Sequence, residues 1–401
     1  MVKQASLASD LASIVGREGV SPGSGVEAVD GIAPKTVVRP GSYDEVAAVL
    51  RYANDARLAV IPLGGHLHAG IGNAPHRYDV ALEVTRLDQV VEFEPADLTI
   101  TVEAGMTLGA LRRVAADTRM MVPFDPELPD EATVGGVLAA ALSGPARVSL
   151  GAPRDVTIGM RVVTADGKLT RAGGRVVKNV AGYDLCKLYI GSMGTLGVIV
   201  EATFKTVPLP LAEETLAFGF PDPAGACAMV SRATAAGLSL RSARLIREAK
   251  TWRLEIGLAG MAHAVARSAR ELRQRAGDPL PPPVTPRTPA PRELAAKLSV
   301  LPTRLPVLLG DFPSDTIIEA HPATGICHIA FAAGSVEAIA EIRSIARKHG
   351  ATCVIEMCPP DLKRDIDVFG DAPSSLPLMR AIKAEFDPNG VLSPGRMLGK
   401  I

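Results

Sequence analysis

The sequence predicts an α+β fold in two parts, and three observations carry that prediction. Strand-like and helix-like apolar patterns alternate from Val37 onward, with glycine at nearly every junction. Pro208 and Pro210 close this first series, and a second β-α-β rhythm starts at Leu211. A chain of 401 residues holds two or three domains at roughly 150 residues each.

The elements follow in order. A short helix spans Leu7 to Val15, and Val37-Val-Arg-Pro40 reads as a strand. Ser42 caps the next helix, with Glu45 completing a capping box, and Val46, Val49, Leu50 and Ala53 recur at helical spacing. Leu58 to Pro62 is a short buried strand that runs into the loop LGGHLHAGIGN. Val80–Val84, Gln89–Phe93 and Leu98–Glu103 are strands, Thr107 opens a helix through Ala115, and Ala132 to Leu142 is a tight helix of small residues. Val156–Thr164 turns at Asp166-Gly167 onto a partner strand, the signature of a hairpin. Leu196 to Thr206 is the last strand of this part. Beyond it, strands at Thr215–Phe220, Trp252–Leu258 and Gly325–Ala332 alternate with helices at Ala224–Ala236, Met261–Ala276 and Val336–His349, the rhythm of a split βαβ sandwich. Residues 279–291 hold seven prolines in thirteen positions, which makes them an extended surface connector. A helix over Leu378–Phe386 and the turn FDPNG precede SPGR near the end.

Composition excludes several classes. Forty-three Lys and Arg balance 43 Asp and Glu, so no basic stripe is available to hold nucleic acid. Hydrophobic residues make up 47%, too many for a disordered chain. The first sixteen residues lack a signal-peptide apolar run, and no stretch approaches a membrane span; the expectation is a cytoplasmic chain with no direct membrane insertion. The cysteines, Cys186, Cys227, Cys327, Cys353 and Cys358, are odd in number and contain no CxxC pair, so reduced thiols are expected rather than a disulfide framework.

Glycine is plentiful, at 38 residues, and its placement carries the chemistry. The loop Pro62-Leu-Gly64-Gly65-His66-Leu67-His68-Ala-Gly-Ile-Gly72-Asn73 follows a strand. Consecutive glycines let successive backbone amides turn inward as an anion-holding nest. The loop is neither GxGxxG nor GxxxxGK[ST], which disfavours a Rossmann fold and a P-loop, and it contains no Lys. Backbone amides alone suit a buried diphosphate; a plain glycine turn is the other reading. Four more glycine sites stand at element edges: Gly105, Thr133-Val-Gly135-Gly136, Ser143-Gly144 with Gly151, and Gly191 to Gly197.

In their order and spacing, these motifs (the Pro-x-Gly-Gly loop, VEAGMTLGAL, ATVGGVLAAALSG, GAPRDVTIGMRVVTADG, LYIGSMGTLGVIVEATFKTVPLP) resemble the PCMH-type FAD-binding domain of the vanillyl-alcohol oxidase/p-cresol methylhydroxylase family. The closing FDPNGVLSPGRM is similar to that family's C-terminal segment. The resemblance covers most of residues 35–210 and 376–401. It implies an N-terminal helix and loop at 1–28, a two-subdomain FAD-binding domain at 29–210, a split-βαβ, ferredoxin-like cap at 211–375 containing the Pro-rich connector, and a segment at 376–401 that returns to the FAD domain. The stretch Arg175-Val-Val-Lys178-Asn179-Val-Ala-Gly182-Tyr183-Asp184-Leu185 resembles, within the family, the FAD-binding E subunits of bacterial glycolate oxidases.

Several expectations follow from the resemblance. FAD's diphosphate would lie on Pro62, Gly64, Gly65, His66, Leu67 and His68, with help from Thr133, Gly135, Gly136, Ser143, Gly144 and Gly151. Gly197, Val198 and Ile199 would face its adenine end. Asp155, beside Arg154, either lines the cofactor or starts a strand as a surface ion pair. Arg396 either places a cation near flavin N1–C2 or is a solvated tail residue. His66 is either a loop contact or a covalent anchor for flavin. The implied function is a flavoprotein subunit oxidising a small 2-hydroxyacid such as glycolate, passing hydride to flavin N5 and electrons to an iron–sulfur subunit, alongside a related FAD subunit. Two alternatives stay open: a self-sufficient oxidase with flavin bonded to His66, and a non-catalytic FAD-binding assembly subunit.

The second part adds His321-Pro-Ala-Thr324-Gly-Ile326-Cys-His328, which resembles the H-x-G-D-G-N-x-H metal motif of D-2-hydroxyacid dehydrogenases in the family. Thr324 and Ile326 stand where that motif has Asp and Asn. Downstream, Glu356 is kept and Met357 stands where a His is expected. The reading is therefore no resident metal, with His321, His328, Glu356 and Arg396 as the candidates for catalysis.

Overall fold

The computed structural model describes residues 2–126, 130–174, 183–277, 280 and 292–401. The Arg175–Gly182 part of the glycolate-oxidase-like stretch, and the Pro-rich connector apart from Leu280, lie outside the described residues. The chain divides into two compact units. The first comprises Met1–Leu142, Ala152–Pro208 and Asp371–Ile401; the second comprises Ser143–Gly151 and Leu209–Gly370.

The first unit contains two larger sheets. One has four strands in the order Val20–Pro22, Thr36–Val38, Val80–Glu83 and Val60–Leu63, and its last three strands run parallel. Helix Tyr43–Asp55 covers it with Val46, Val49, Leu50 and Ala53, all fully buried. Ser42 caps this helix by accepting the Glu45 amide, while the Glu45 carboxylate accepts the amide of Gly41, one residue before the cap itself. Helix Val2–Val15 buries Leu7, Leu11 and Val15 in the same core, so residues 1–28 form no separate part. Each such leucine contributes about 1.5–3 kcal/mol of apolar burial.

The second sheet has five antiparallel strands, Val90–Glu94, Thr99–Glu103, Val198–Lys205, Thr157–Val163 and Leu169–Gly173. The last two form the hairpin expected at Asp166-Gly167. Val198–Lys205 is its central strand and almost wholly buried, with Glu201 and Thr203 as buried polar residues among its apolar ones. Val163, Val198 and Val200 join Val60, Val80 and Leu82 in one core, and Val391 and Leu392 of the C-terminal segment complete it.

The second unit contains a seven-stranded antiparallel sheet, ordered Ala212–Phe220, Thr251–Gly260, Leu240–Glu248, Ile317–His321, Ile326–Phe331, Leu294–Ser299, Thr352–Met357. Helix Pro223–Ala235 crosses from the first of these to Leu240–Glu248 with one strand between them, which is a split βαβ unit. Helix Leu305–Gly310 connects Leu294–Ser299 to Ile317–His321 in the same way. The sequence pattern suggests one such unit; the sheet holds two, joined where Leu240–Glu248 meets Ile317–His321. All five cysteines are free thiols. Among the described residues no helix is long and apolar enough to cross a membrane.

Candidate cofactor site

The first unit contains a cleft enclosing about 950 Å³ of space, its open mouth included. Three segments wall it: the loop after strand Val60–Leu63, the turn and helix at Ala132–Leu142, and the stretch Met193–Ile199. Strand Val60–Leu63 lies at the edge of its sheet, where Pro62 needs no ladder donor. Beyond Leu63 the chain leaves the sheet and passes so close to its neighbours that two side chains are forbidden. A Cβ on Gly64 would stand 2.0 Å from Thr133 Oγ1, and one on Gly65 would stand 2.7 Å from the Glu131 carbonyl oxygen. His66 then takes φ +61°, a left-handed conformation uncommon for a residue with a Cβ. Among the described residues, the amides of Gly64, Gly65, His66 and Leu67 donate to no backbone carbonyl. These four successive residues line the cleft, and their amides are without a backbone acceptor, as an anion-holding nest for a diphosphate would require.

The second wall works differently. Thr133 caps helix Val134–Ala140 by accepting the Gly136 amide at 3.3 Å, the Val134 amide donates to Met106 O at 2.9 Å and the Gly135 amide to Ala104 O at 2.7 Å. The amides of Val134, Gly135 and Gly136 are thus spent on the protein, so Gly135 and Gly136 give the cleft its shape and not backbone donors. In the third wall Gly197 packs where a Cβ would meet Val162 at 2.4 Å, and Val198 and Ile199 line the cleft beside it.

Pro62, Gly64–His68, Thr133, Gly135, Gly136 and Gly197–Ile199 therefore come together around one cleft. Ser143, Gly144 and Gly151 do not line it; they belong to Ser143–Gly151, in the other unit. Asp155 does not line it either. Its carboxylate accepts the Ala152 amide at 2.8 Å and caps helix Pro153–Val156. Met193 and Gly194 line the cleft as well; they fall in the glycine site Gly191 to Gly197 but are not among the expected cofactor contacts.

Charge sits just outside the nest. His66 Nε2 lies 2.5 Å from Glu83 Oε1, and Nδ1 lies 3.5 Å from the Val26 carbonyl oxygen. Arg39 pairs with the other Glu83 oxygen. The hydrogen bond to Glu83 raises the His66 pKa above its ordinary value, against the effect of burial. Burial alone would raise Glu83, but His66 and Arg39 hold it below the usual carboxylate range. Arg396 is 5% exposed and reaches the cleft from the C-terminal segment. It is not a solvated tail residue: its guanidinium is occupied by Asp30 and by carbonyls of the glycine loop.

In the second unit His321 and His328 stand on neighbouring strands, and Glu356 stands on Thr352–Met357, beyond the intervening strand Leu294–Ser299. The two imidazole centroids are 5.8 Å apart, and His328 Nδ1 lies 3.1 Å from Glu356 Oε2. His321 is 3% exposed and neither ring nitrogen has a hydrogen-bond partner; its nearest acid is Glu319, at 3.6 Å. Burial would raise the Glu319 pKa, but His321 and Arg244 hold it low. Among the described residues, no group of three or more His, Cys, Asp or Glu is arranged to hold a metal ion.

Comparison with known proteins agrees with this geometry. Residues 34–173 match the family described as FAD binding domain, and residues 371–397 match FAD linked oxidases, C-terminal domain. The chain is 35% identical over 188 residues to a D-2-hydroxyglutarate dehydrogenase of Xanthomonas citri, covering 47% of this chain and 40% of that protein. It is 41% identical over 128 residues to glycolate oxidase subunit GlcE of Escherichia coli, covering 32% of this chain and 37% of that one. The matched stretch thus spans about two-fifths of such relatives. The fold is that of 4-ethylphenol oxidase from Gulosibacter chungangensis, with a TM-score of 0.71 at 16% identity over 99% of this chain and 97% of the other. The loop Gly64–Leu67 thus lies within the stretch that matches the FAD binding domain, and the segment at 371–397 matches the C-terminal domain of FAD linked oxidases, on a fold shared with 4-ethylphenol oxidase.

Proposed function

We propose that this chain is the FAD-binding subunit of a complex that oxidises a small 2-hydroxyacid, with glycolate as the leading substrate. The observation that carries FAD binding is the run of open amides at Gly64–Leu67 beside a glycine-walled cleft. The substrate class rests on the similarity to a D-2-hydroxyglutarate dehydrogenase and to a glycolate oxidase subunit. When bound, FAD accepts the hydride that leaves the carbon of a CH–OH group as it becomes C=O. The protein's own work is to hold the diphosphate on amides, shape the cleft with Gly135 and Gly197, and offer His328, hydrogen-bonded to Glu356, to take the hydroxyl proton. The sequence has no CxxC pair, so the iron–sulfur partner and a related FAD subunit are assigned to other chains. The five free thiols suit the cytoplasm. Flavin is held without a covalent bond, because His66 directs one ring nitrogen to Glu83 and the other towards Val26. A second reading, a non-catalytic FAD-binding assembly subunit, is favoured by Thr324, Ile326 and Met357 at the altered motif positions.

The test is direct. The purified chain should show flavin absorbance, release all of its flavin on acid precipitation, and bleach when glycolate, D-lactate or D-2-hydroxyglutarate is added without oxygen. Flavin that stays bound but never bleaches supports the assembly-subunit reading. A chain that takes up no FAD defeats both.

A further inference from the structure

We propose that Arg396 is a positioning residue for the cofactor loop: from the C-terminal segment it gathers carbonyls of loop 64–73 and so fixes the conformation in which the amides of Gly64–Leu67 stay open. The inference rests on the FAD-binding reading above. Arg396 Nη2 donates to Ala69 O at 2.6 Å and to Ile71 O, and Nη1 donates to Asn73 O at 3.1 Å and to Asp30 Oδ2 at 3.3 Å. Three alternate carbonyls of one loop thus converge on a single buried guanidinium. In a planar peptide unit the C=O and the following N–H point in opposite directions, so this convergence turns the amides of Gly70 and Gly72 away from Arg396. A planar fork of five donors can serve several acceptors at once, whereas an ammonium is a compact point charge on a flexible stem.

The loop answers with bonds of its own. The Asn73 amide donates to Arg396 O at 2.9 Å, Asn73 Nδ2 donates to Met397 O at 2.9 Å, and the His76 amide donates to Pro394 O at 2.9 Å. Two glycines make the approach possible. Gly72 has φ +97° and its Cβ would stand 2.8 Å from Arg396 O; Gly395 has φ +87° and its Cβ would stand 2.7 Å from the His76 ring. Loop and tail are thus latched from both sides. The guanidinium's hydrogen bonds go to this latch, which separates its role from that of a cation placed to face reduced flavin.

The experiment measures FAD affinity by quenching of flavin fluorescence, the melting of the flavin-free forms, and the sulfite affinity of the bound flavin, which reports positive charge beside the ring. The variants are Arg396→Lys, Gly72→Ala and, as a control, Gly237→Ala, a left-handed glycine with nothing within 4 Å of its Cβ. Arg396→Lys keeps the charge and loses the fork; Gly72→Ala strains the latch from the loop side while keeping the arginine. Both should weaken FAD binding at least tenfold, with sulfite affinity of the remaining bound flavin within twofold of wild type, while Gly237→Ala binds FAD normally. If Arg396→Lys does not fold, Gly72→Ala carries the test alone. FAD affinity equal to wild type in the folded latch variants overturns the proposal. So does Arg396→Lys that binds FAD normally but shows altered sulfite affinity, since Arg396 would then act on the flavin ring. Wild-type chain that binds no FAD defeats the functional reading, and this inference with it.

Discussion

Gly64→Ala tests whether the cleft depends on close approach. The new Cβ would stand 2.0 Å from Thr133 Oγ1, 3.1 Å from its Cβ and 3.3 Å from its Cγ2. Thr133 is not a free end. Its hydroxyl caps helix Val134–Ala140, and its backbone is bridged to Thr107. Relief takes two steps. Thr133 gives up its cap, at about 1 kcal/mol, and, because its Cβ still stands 3.1 Å away, the loop also shifts, with overpacking strain of about 1–3 kcal/mol. The total, about 2–4 kcal/mol, divides between fold and binding. Falling wholly on binding, it weakens FAD by roughly 30- to 1,000-fold. Melting of the flavin-free protein and FAD titration together read both shares. Thr133→Ala removes Oγ1 and Cγ2, so Gly64→Ala in that background should cost about 0.5–3 kcal/mol less than in wild type. Strictly additive substitutions, or Gly64→Ala with wild-type melting and FAD affinity, would refute the reasoning.

Other predictions follow from the same residues. Lys383 donates to Thr195 O, Leu392 O and the buried Asp387, so Lys383→Met leaves that carboxylate without a counter-charge, held only by the Val391 and Leu392 amides, and should cost about 3–5 kcal/mol by chemical denaturation. Because Glu83 raises the folded pKa of His66, the stability from that pair is complete below the ordinary histidine pKa of about 6.5 and is lost as pH rises through the folded value. His66→Gln should therefore flatten the fall in stability above about pH 6.5, read as melting temperature against pH. Acid-precipitated wild-type chain should leave no flavin on the polypeptide.

Much of the first unit was legible because its signals are local. The cap at Ser42, the hairpin turn at Asp166-Gly167 and the glycine loop each declare themselves within a few residues. The second unit was less so. Strand Leu240–Glu248 carries Arg241, Arg244 and Arg247 among its buried residues Ala243, Leu245 and Ile246, and strand Leu294–Ser299 follows directly on the proline-rich run. Their pairing is set by distant strands, which no short window contains. At the site, residue types identified the nest but not which donors remain open. That Val134, Gly135 and Gly136 spend their amides on the protein, and that Asp155 serves a cap, depends on where Ala104, Met106, Thr133 and Ala152 fall in space. Arg396 shows the same limit: nothing local ties position 396 to carbonyls at 69–73.

Among the described residues, those lining the cleft all belong to the first unit and His328 to the second, so the proposed function assigns FAD binding and the proton acceptor to different units of the chain. That division makes a sharp prediction. His328→Asn removes the imidazole bonded to Glu356 and changes no residue that lines the cleft, so FAD affinity should stay within about twofold of wild type. If His328 takes the hydroxyl proton, anaerobic bleaching by the 2-hydroxyacid should slow by about 10²- to 10⁴-fold. Glu356→Gln keeps a hydrogen-bonding partner at 3.1 Å but removes its charge, so it should slow bleaching less. A normal bleaching rate in His328→Asn removes this residue from the reaction. Loss of FAD in the same variant would be the more damaging result, because the cofactor's grip would then not belong to the first unit alone.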